Sequence, residues 1–296
     1  MEEQERQQTT NQALPEFLYH YTTEKGLYGI LEEGCIWATH YRFLNDFTEC
    51  LEAVDRLESK TQQLISCPTG QTALAKKLKS KDRENWLDAL KSRLRTSDMY
   101  VISLTNDSTN DSNSQKPGDR LSLWRGYADD GRGFSLEFSH ESLKEKVQSF
   151  ATQKEMTFRF ERCLYGKSPE EEEKIQAITT MWAGFVSTQN IDDFLPFFAF
   201  IKNQSFFEEQ EWRFALLRLP NCKSEDPVAF HSGQFGQTPH VAVTLDFKSA
   251  GSPLKRIVVG PSPDRDHATE ALNRYLEKNG ISDVPVVVSG IPFRGR

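Results

Sequence analysis

The 296-residue sequence has few cysteines, and none stands in a spacing typical of ligands or disulfides. The five cysteines are scattered along the chain, with no CxxC pair and no cluster of cysteine and histidine. An odd, widely spread set argues against a disulfide framework and against a zinc site. We therefore expect reduced thiols, a cytoplasmic protein and no bound metal.

Long hydrophobic runs are also missing. No stretch approaches the roughly 18 apolar residues that a membrane span needs, and the N-terminal MEEQERQQTTNQALP has neither a basic nor an apolar signal region. We expect neither secretion nor membrane insertion. Residues 1–14 are predicted to be a disordered leader, and residues 15–296 to form one folded domain.

Excess positive charge and the common nucleotide motifs are absent as well. The formal net charge is −7, with 36 basic against 43 acidic residues, which argues against a broadly basic nucleic-acid scaffold but leaves room for a local basic groove. The sequence contains no GxGxxG after a strand, no GxxxxGK[ST] and no HExxH. The standard signatures of dinucleotide and phosphate-loop sites are thus missing, and the absence of HExxH disfavours a metallohydrolase.

What the sequence does contain is a globular mixture of strands and helices. Twenty phenylalanines supply a core, and several strand patterns alternate without a regular βαβ order. This pattern predicts an α+β fold with a mixed, mainly antiparallel sheet and helical cover. Residues 58–98 are predicted to be a helical insertion, and residues 192–203 a phenylalanine-rich helix. Residues 106–119 are interpreted either as a solvated linker or as a loop that closes over a ligand or contacts a target.

The stretch LYHYT at residues 18–22 places a histidine between two tyrosines on a predicted strand. Tyr19 and Tyr21 face one side, and His20 and Thr22 face the other. An imidazole beside a hydroxyl suits a sugar hydroxyl. The alternative is a buried histidine held by a backbone carbonyl.

A second stretch, LWRGYADDGRGFSLEF at residues 123–138, combines two aromatic residues with a glycine-rich turn. Trp124 and Tyr127 are three residues apart and so share one side of a helical turn. The glycines let the backbone pass close to a ligand. This surface suits the stacking of a flat heterocycle, and ordinary core packing is the alternative.

The third stretch, EEQEWRF at residues 208–214, is the most informative. On a strand that begins near Glu209, the side chains of Glu209, Glu211 and Arg213 share one face. Two carboxylates so close together repel each other unless a cation or a ligand faces one of them. The pattern indicates a functional site, with a surface ladder of charges as the alternative.

Four segments together resemble the bacterial family known as domain of unknown function 2971. They are LYHYTTEKGLYGILEEGCIWATHYRFLND, LSLWRGYADDGRGFSLEF, IKNQSFFEEQEWRF and the pair LKRIVVGP and VVVSGIP. The resemblance runs from about residue 16 to residue 293, apart from portions of 58–98.

The opening YHYTTEKGLYGIL and the Glu-Gln-Glu of residues 209–211 also look like ADP-ribosyltransferases of the diphtheria-toxin-like and DarT-like type. This more distant resemblance implies an ADP-ribosyltransferase-like split sheet with NAD as the substrate and no metal. It places Glu211 at the nicotinamide ribose and Glu209 at the acceptor. The implied NAD-binding residues are His20 with Thr22 at the adenine-side ribose, Tyr21 between them, Tyr127 or Trp124 at the nicotinamide, and Arg213 or Arg125 at the pyrophosphate.

The function implied by the resemblance is transfer of ADP-ribose to an unknown macromolecular acceptor, a protein or a nucleic acid, in a toxin or in antiviral defence. An NAD glycohydrolase would use the same pocket with water as the acceptor. A nucleotide-binding or sensing module would use it without breaking a bond. The sequence leaves all three open.

Overall fold

The computed structural model describes residues 14–44, 49–66, 82–106, 117–185, 191–233 and 236–292. These residues form helices and strands, and the strands join in one sheet. The helices are α1 (Glu24–Glu33), α2 (Glu49–Ser66), α3 (Asp82–Arg95), α4 (Leu121–Tyr127), α5 (His140–Gln153), α6 (Pro169–Phe185) and α7 (Arg265–Lys278). The strands are β1 (Phe17–Thr22), β2 (Cys35–His40), β3 (Asp98–Thr105), β4 (Phe134–Ser139), β5 (Met156–Arg162), β6 (Glu211–Arg218), β7 (Val228–Gly233), β8 (Gly236–Thr244), β9 (Leu254–Val259) and β10 (Val286–Val288).

The sheet is open and mostly antiparallel. Its strand order is β10-β9-β4-β1-β3-β2-β8-β7, with β6 added to β3 and β5 added to β6. Among these pairs, β9 and β10 run parallel and the others run antiparallel. The predicted α+β class with a mainly antiparallel sheet and helical cover is confirmed. No helix among the described residues combines the length and apolar character that crossing a membrane requires.

Strand β3 is where the sheet divides. One edge of β3 pairs with β6 along its whole length. On the other edge, β2 pairs with β3 through Thr39 and His40, and β1 pairs only at Tyr19 with Thr105. Residues 102–104 therefore have no strand partner on that edge. Strands β1 and β2 diverge there and leave an opening in the sheet.

One face of the sheet carries the largest apolar core. Alternating strand residues such as Leu18, Ile36 and Phe214 point to this face, as the two-residue period of a strand requires. Helices α1, α5 and α7 cover it with leucines and valines: Leu27, Leu31, Leu143, Val147, Leu272 and Leu276. Burial of this continuous apolar surface is the main source of stability for the fold.

The opposite face carries two separate apolar clusters. Helices α2 and α3 and the 3₁₀ segment Leu195–Phe200 pack on β3 and β6 around Val101 and Ala215. Helix α4 packs on β1 around Tyr19 and Tyr21. A gap remains between the two clusters, directly over the opening between β1 and β2.

Helix α1 fixes the end of β1 through ordinary capping chemistry. The Thr23 hydroxyl accepts a hydrogen bond from the Gly26 amide at 3.2 Å, which satisfies a donor left over in the first turn. Gly34 ends the helix with φ of +63°, a conformation that glycine adopts without steric cost. The chain then turns directly into β2.

Two sequence predictions near the third motif are corrected. Residues 192–203 do not form a regular helix: only Leu195–Phe200 is helical, as a 3₁₀ segment containing Pro196, and the Phe200 carbonyl accepts a hydrogen bond from the Leu164 amide at 2.7 Å instead of continuing a helix. Strand β6 begins at Glu211 rather than near residue 209. Gln210 has a left-handed φ of 45°, so Glu209 ends the preceding 3₁₀ segment, Gln204–Glu209.

Candidate functional site

A cavity of about 400 Å³ fills the gap between the two clusters. This volume lies in the range of small-molecule and cofactor sites, about 300–1,000 Å³. Strands β1, β2, β3, β6, β7 and β8, helix α4 and the 3₁₀ segment Gln204–Glu209 all contribute to its walls. Its polar and aromatic lining residues include His20, Trp37, Tyr127, Lys202, Glu209, Glu211, Arg213 and His231.

Glu211 is the most tightly held of the charged residues. Arg213 donates to it twice, from Nε to Oε1 at 2.7 Å and from Nη2 to Oε2 at 2.9 Å. The Nζ of Lys202 donates to Oε2 at 2.6 Å, and the Glu211 amide donates to the Tyr165 hydroxyl at 2.8 Å. Both carboxylate oxygens of Glu211 are therefore already committed to cations.

Glu209 shares the same lysine but has a different second partner. Lys202 Nζ donates to Glu209 Oε2 at 2.6 Å, and the Tyr127 hydroxyl donates to Oε1 at 2.7 Å. The Glu209 side chain is 16% exposed, against 6% for Glu211. The left-handed turn at Gln210 lets both carboxylates reach one ammonium group. The ionic cluster, comprising Tyr127, Lys202, Glu209, Glu211 and Arg213, thus has an inner and an outer carboxylate.

The charges of the ionic cluster set its protonation. Burial raises the pKa of Glu211, but Arg213 and Lys202 together outweigh burial and lower this pKa to about 2. Burial and the neighbouring Glu209 raise the pKa of Tyr127 above its ordinary value. At neutral pH the cluster therefore presents an ionised Glu211 and a neutral tyrosine that donates a hydrogen bond.

His20 lies in the opening between β1 and β2. Its Nδ1 is 3.2 Å from the carbonyl oxygen of Ser103, in the section of β3 that no strand covers on that edge. Because a carbonyl only accepts, Nδ1 carries the proton and Nε2 is an acceptor. Burial lowers the pKa of His20 and the Ser103 carbonyl opposes this effect. The histidine is thus held by a backbone carbonyl and also lines the cavity, so the two interpretations from sequence are compatible.

The remaining residues of the first motif are placed differently. Tyr21 lines the cavity, and its hydroxyl accepts a hydrogen bond from the Arg120 amide at 2.9 Å. Thr22 does not line the cavity; its hydroxyl lies against Gly26 at the start of α1. The predicted pairing of His20 with Thr22 toward one ligand is therefore not what this arrangement offers.

The two aromatic residues of the second motif lie in different environments. Tyr127 reaches the cavity, whereas Trp124 is fully buried. The Trp124 indole donates from Nε1 to Asp119 at 2.8 Å and packs edge-on against Tyr21 at 4.9 Å. Trp124 is a core residue that supports the cavity wall from behind.

Neither predicted arginine is placed as a simple phosphate ligand. Arg213 lines the cavity, but in addition to its bonds to Glu211 its Nη1 donates to the Ala199 carbonyl at 2.7 Å. Arg125 is exposed in the last turn of α4 and lies outside the cavity lining. The predicted loop at 106–119 falls mostly outside the described residues.

Sequence reasoning missed a second group of residues, the Trp–His shelf formed by Trp37, His231 and His240. Trp37 and His231 line the cavity, and His240 packs beside them. The Trp37 ring centroid is 4.6 Å from that of His231 and 4.4 Å from that of His240. The two Nδ1 atoms of the histidines are 3.2 Å apart, so one donates and the other accepts. Burial lowers the pKa of both histidines, which keeps the shelf neutral near pH 7.

Lys202 was also missed, although the sequence carried a signal for it. Two glutamates one residue apart require a nearby cation, and Lys202 precedes Glu209 by seven residues.

Across residues 14–292, apart from the gaps in the described ranges, no group of three or more histidine, cysteine, aspartate or glutamate side chains is placed to hold a metal ion.

The fold and site define an α+β protein whose opened antiparallel sheet surrounds a cavity of ligand size. A family model described as Protein of unknown function (DUF2971) matches residues 123–214. This match supports the predicted relation to that family over the segment that contributes every member of the ionic cluster. The Trp–His shelf and His20 lie outside the matched segment. Searches of curated proteins and of solved structures found no match to this chain.

Proposed function

We propose that the cavity binds NAD⁺ and that the protein transfers ADP-ribose from it to a protein or nucleic-acid acceptor. The observation that carries this proposal is the convergence of His20, Tyr127, Glu209 and Glu211 on one cavity. These residues come from remote segments, and they are the ones to which the resemblance to ADP-ribosyltransferases gives roles at the two riboses, the nicotinamide and the acceptor.

The reaction breaks one bond and forms one. The glycosidic bond between C1′ and the nicotinamide nitrogen breaks, and nicotinamide leaves with the bonding electron pair. The ribose passes through a state with positive charge on C1′ and its ring oxygen. A lone pair of the acceptor then forms the new bond to C1′, and the acceptor proton is released to solvent. A carboxylate beside the ribose stabilises charge that develops only in the transition state.

The two carboxylates suit different roles, and we assign Glu209 to the ribose. Both oxygens of Glu211 accept hydrogen bonds from Lys202 and Arg213, so Glu211 acts as the anchor that positions Lys202. Glu209 Oε1 is bonded to the neutral Tyr127 hydroxyl, which a ribose hydroxyl can replace or join at low cost. This assignment moves to Glu209 the ribose role that the resemblance implied for Glu211, and it leaves Glu211 as a positioning residue.

The other lining groups complete the site. The Nε2 of His20 accepts a hydrogen bond from the hydroxyl of the second ribose, and the ring of Tyr127, which is 37% exposed, stacks on the nicotinamide. Among the described lining residues, the cations Lys202 and Arg213 are matched by the two carboxylates. Affinity is therefore expected to rest on ring and ribose contacts, with a weak dependence on salt.

The test is product analysis after incubation with NAD⁺ labelled in its adenylate half, in the presence of bacterial protein and nucleic-acid fractions. Free nicotinamide with labelled macromolecule establishes transfer. Nicotinamide with free ADP-ribose establishes the glycohydrolase instead. Binding without release of nicotinamide would overturn catalysis and leave a nucleotide-binding module.

The decisive variant is Glu209→Gln, with Glu208→Gln as its matched control. Glu208 is the preceding residue, is exposed and does not line the cavity. Loss of the outer carboxylate is expected to slow nicotinamide release by about 10²–10³-fold, whereas the control keeps full activity. Equal rates in the two variants would remove Glu209 from the reaction. Glu211→Gln is a weaker test, because it leaves the buried Arg213 without its anionic partner and perturbs folding.

A further inference from the structure

The Trp–His shelf lies across β3 from the ionic cluster. Glu211 and Arg213 stand on β6, which pairs with one edge of β3, whereas Trp37 stands on β2, which pairs with the other edge. Two strand spacings separate β6 from β2, about 10 Å. The cavity therefore reaches from a charged region to a neutral aromatic region, as the site of an extended ligand with unlike ends would.

The two imidazoles lie on the same side of the Trp37 indole. Each is within stacking distance of the indole, at 4.6 Å and 4.4 Å, and the two imidazole centroids are only 5.0 Å apart. Rings on opposite faces of the indole would be separated by nearly the sum of the first two distances. One face of Trp37 is thus covered by His231 and His240, and among the described residues no aromatic ring is stacked on the other face.

Trp37 does not have the surroundings of a core tryptophan. Trp124 is fully buried, whereas Trp37 is only partly buried and lines the cavity. Its Nε1 donates to Glu33 at 3.0 Å, which holds the ring plane in place without using either face. A fixed indole that lines a cavity, with no described aromatic ring stacked on its second face, is a platform for a planar heterocycle.

We infer that Trp37 binds the adenine base of NAD⁺ by stacking, an assignment that rests on the proposed function. The nicotinamide end is assigned to Tyr127 beside Glu209, so the base across β3 is the adenine. His20 lies in the opening between the two ends and faces the adenine-side ribose. The neutral histidine pair adds no positive charge to the shelf, which suits an uncharged base.

The experiment compares two half-ligands by isothermal titration calorimetry. AMP contains the adenine without the nicotinamide, and nicotinamide mononucleotide contains the nicotinamide without the adenine. Trp37→Ala is expected to weaken AMP binding by about 5- to 100-fold, the range for loss of one base–aromatic stack. Trp37→Phe retains a smaller ring and is expected to lose less. Binding of nicotinamide mononucleotide is expected to be unchanged in both variants.

The matched control is Phe230→Ala. Phe230 neighbours His231 on β7, but it points to the other face of the sheet and is 63% exposed, so AMP binding should stay at the wild-type value. The inference is overturned if the wild-type protein does not bind AMP, if Trp37→Ala and Trp37→Phe both bind AMP as tightly as wild type, or if they weaken nicotinamide mononucleotide as much as AMP.

Failure of the shelf and failure of the proposed function are separable. Trp37-dependent AMP binding without release of nicotinamide from NAD⁺ would keep the shelf and refute the catalysis. If nicotinamide is released but AMP binding does not depend on Trp37, the proposed reaction stands and the stacking role of Trp37 is refuted. Thermal unfolding of each variant shows that the comparison is made on folded protein.

Discussion

The ionic cluster and the Trp–His shelf border the same cavity but differ in charge. The ionic cluster contains fixed charges that satisfy one another: Lys202 is 5% exposed, Glu211 4% and Arg213 2%. The shelf contains uncharged rings, two of which are histidines that share a single proton between their Nδ1 atoms. The first region is stable only as a complete set, whereas the second is neutral near pH 7 and resists protonation as the pH falls.

The largest expected effect comes from removing the shared cation of the ionic cluster. Lys202→Met leaves Glu209 and Glu211 close together, with Arg213 still paired to Glu211. Because one buried partner of an ion pair is lost, we expect the free energy of unfolding to fall by about 3–5 kcal/mol. Urea unfolding measures this change.

The control for that variant is Lys91→Met. Lys91 also bridges two carboxylates, Asp55 at 3.2 Å and Glu58 at 3.4 Å, but its side chain is 29% exposed and that of Asp55 is 66% exposed. Solvent screening limits the loss there to less than about 1 kcal/mol. If the two lysine variants lost equal stability, the ionic cluster would be no more tightly coupled than a surface pair.

A second prediction separates the two regions by pH. Burial lowers the pKa values of His20, His231 and His240 in the folded protein from the ordinary value of 6.5, as it does those of His40 and His140 outside the shelf. Below pH 6.5 the histidines bind protons more readily in the unfolded chain than in the folded chain. The free energy of unfolding therefore falls as the pH decreases. Each such proton contributes a slope of about 1.4 kcal/mol per pH unit. Urea unfolding at about pH 7.5 and pH 5.5 measures the loss.

The ionic cluster should respond in a lower pH window. The pKa of Glu211 falls from 4.5 to about 2 on folding, so its contribution is complete above pH 4.5 and is lost only as pH falls toward 2. His231→Asn should reduce the slope between pH 7.5 and 5.5 relative to the wild-type protein. An unchanged slope in this variant would refute a pH-sensitive shelf.

The same contrast explains what the sequence could predict. Glu209, Glu211 and Arg213 lie within five residues of one another, so strand alternation alone brings the last two to one face. Helix α1, with its caps Thr23 and Gly34, likewise follows from local sequence. The need for a cation was predictable, but its identity as Lys202 was not. Lys202 lies between the two 3₁₀ segments, and their path, which depends on packing, brings it to the carboxylates.

The shelf was hidden because its members meet only through strand register. Trp37, His231 and His240 come from three strands, and the strand carrying His231, β7, was not predicted at all. Helix α5, His140–Gln153, was likewise not predicted. Trp124 shows the limit in the other direction, since spacing placed it beside Tyr127 while the buried carboxylate of Asp119 holds its indole in the core.

The smallest expected effect concerns the one neutral member of the ionic cluster. Tyr127→Phe removes the hydroxyl that donates to Glu209 Oε1 at 2.7 Å but keeps the ring. Because Tyr127 is 37% exposed, water can take over the lost hydrogen bond, and the free energy of unfolding should fall by only about 0.5–1.5 kcal/mol. Tyr127→Ala also removes the ring, so it should weaken nicotinamide mononucleotide far more than Tyr127→Phe does, with AMP unaffected by either change. Calorimetry on the two variants distinguishes these roles: if Phe and Ala weakened nicotinamide mononucleotide equally, the hydroxyl rather than the ring would be the ligand contact, and the nicotinamide would have to lie elsewhere in the cavity.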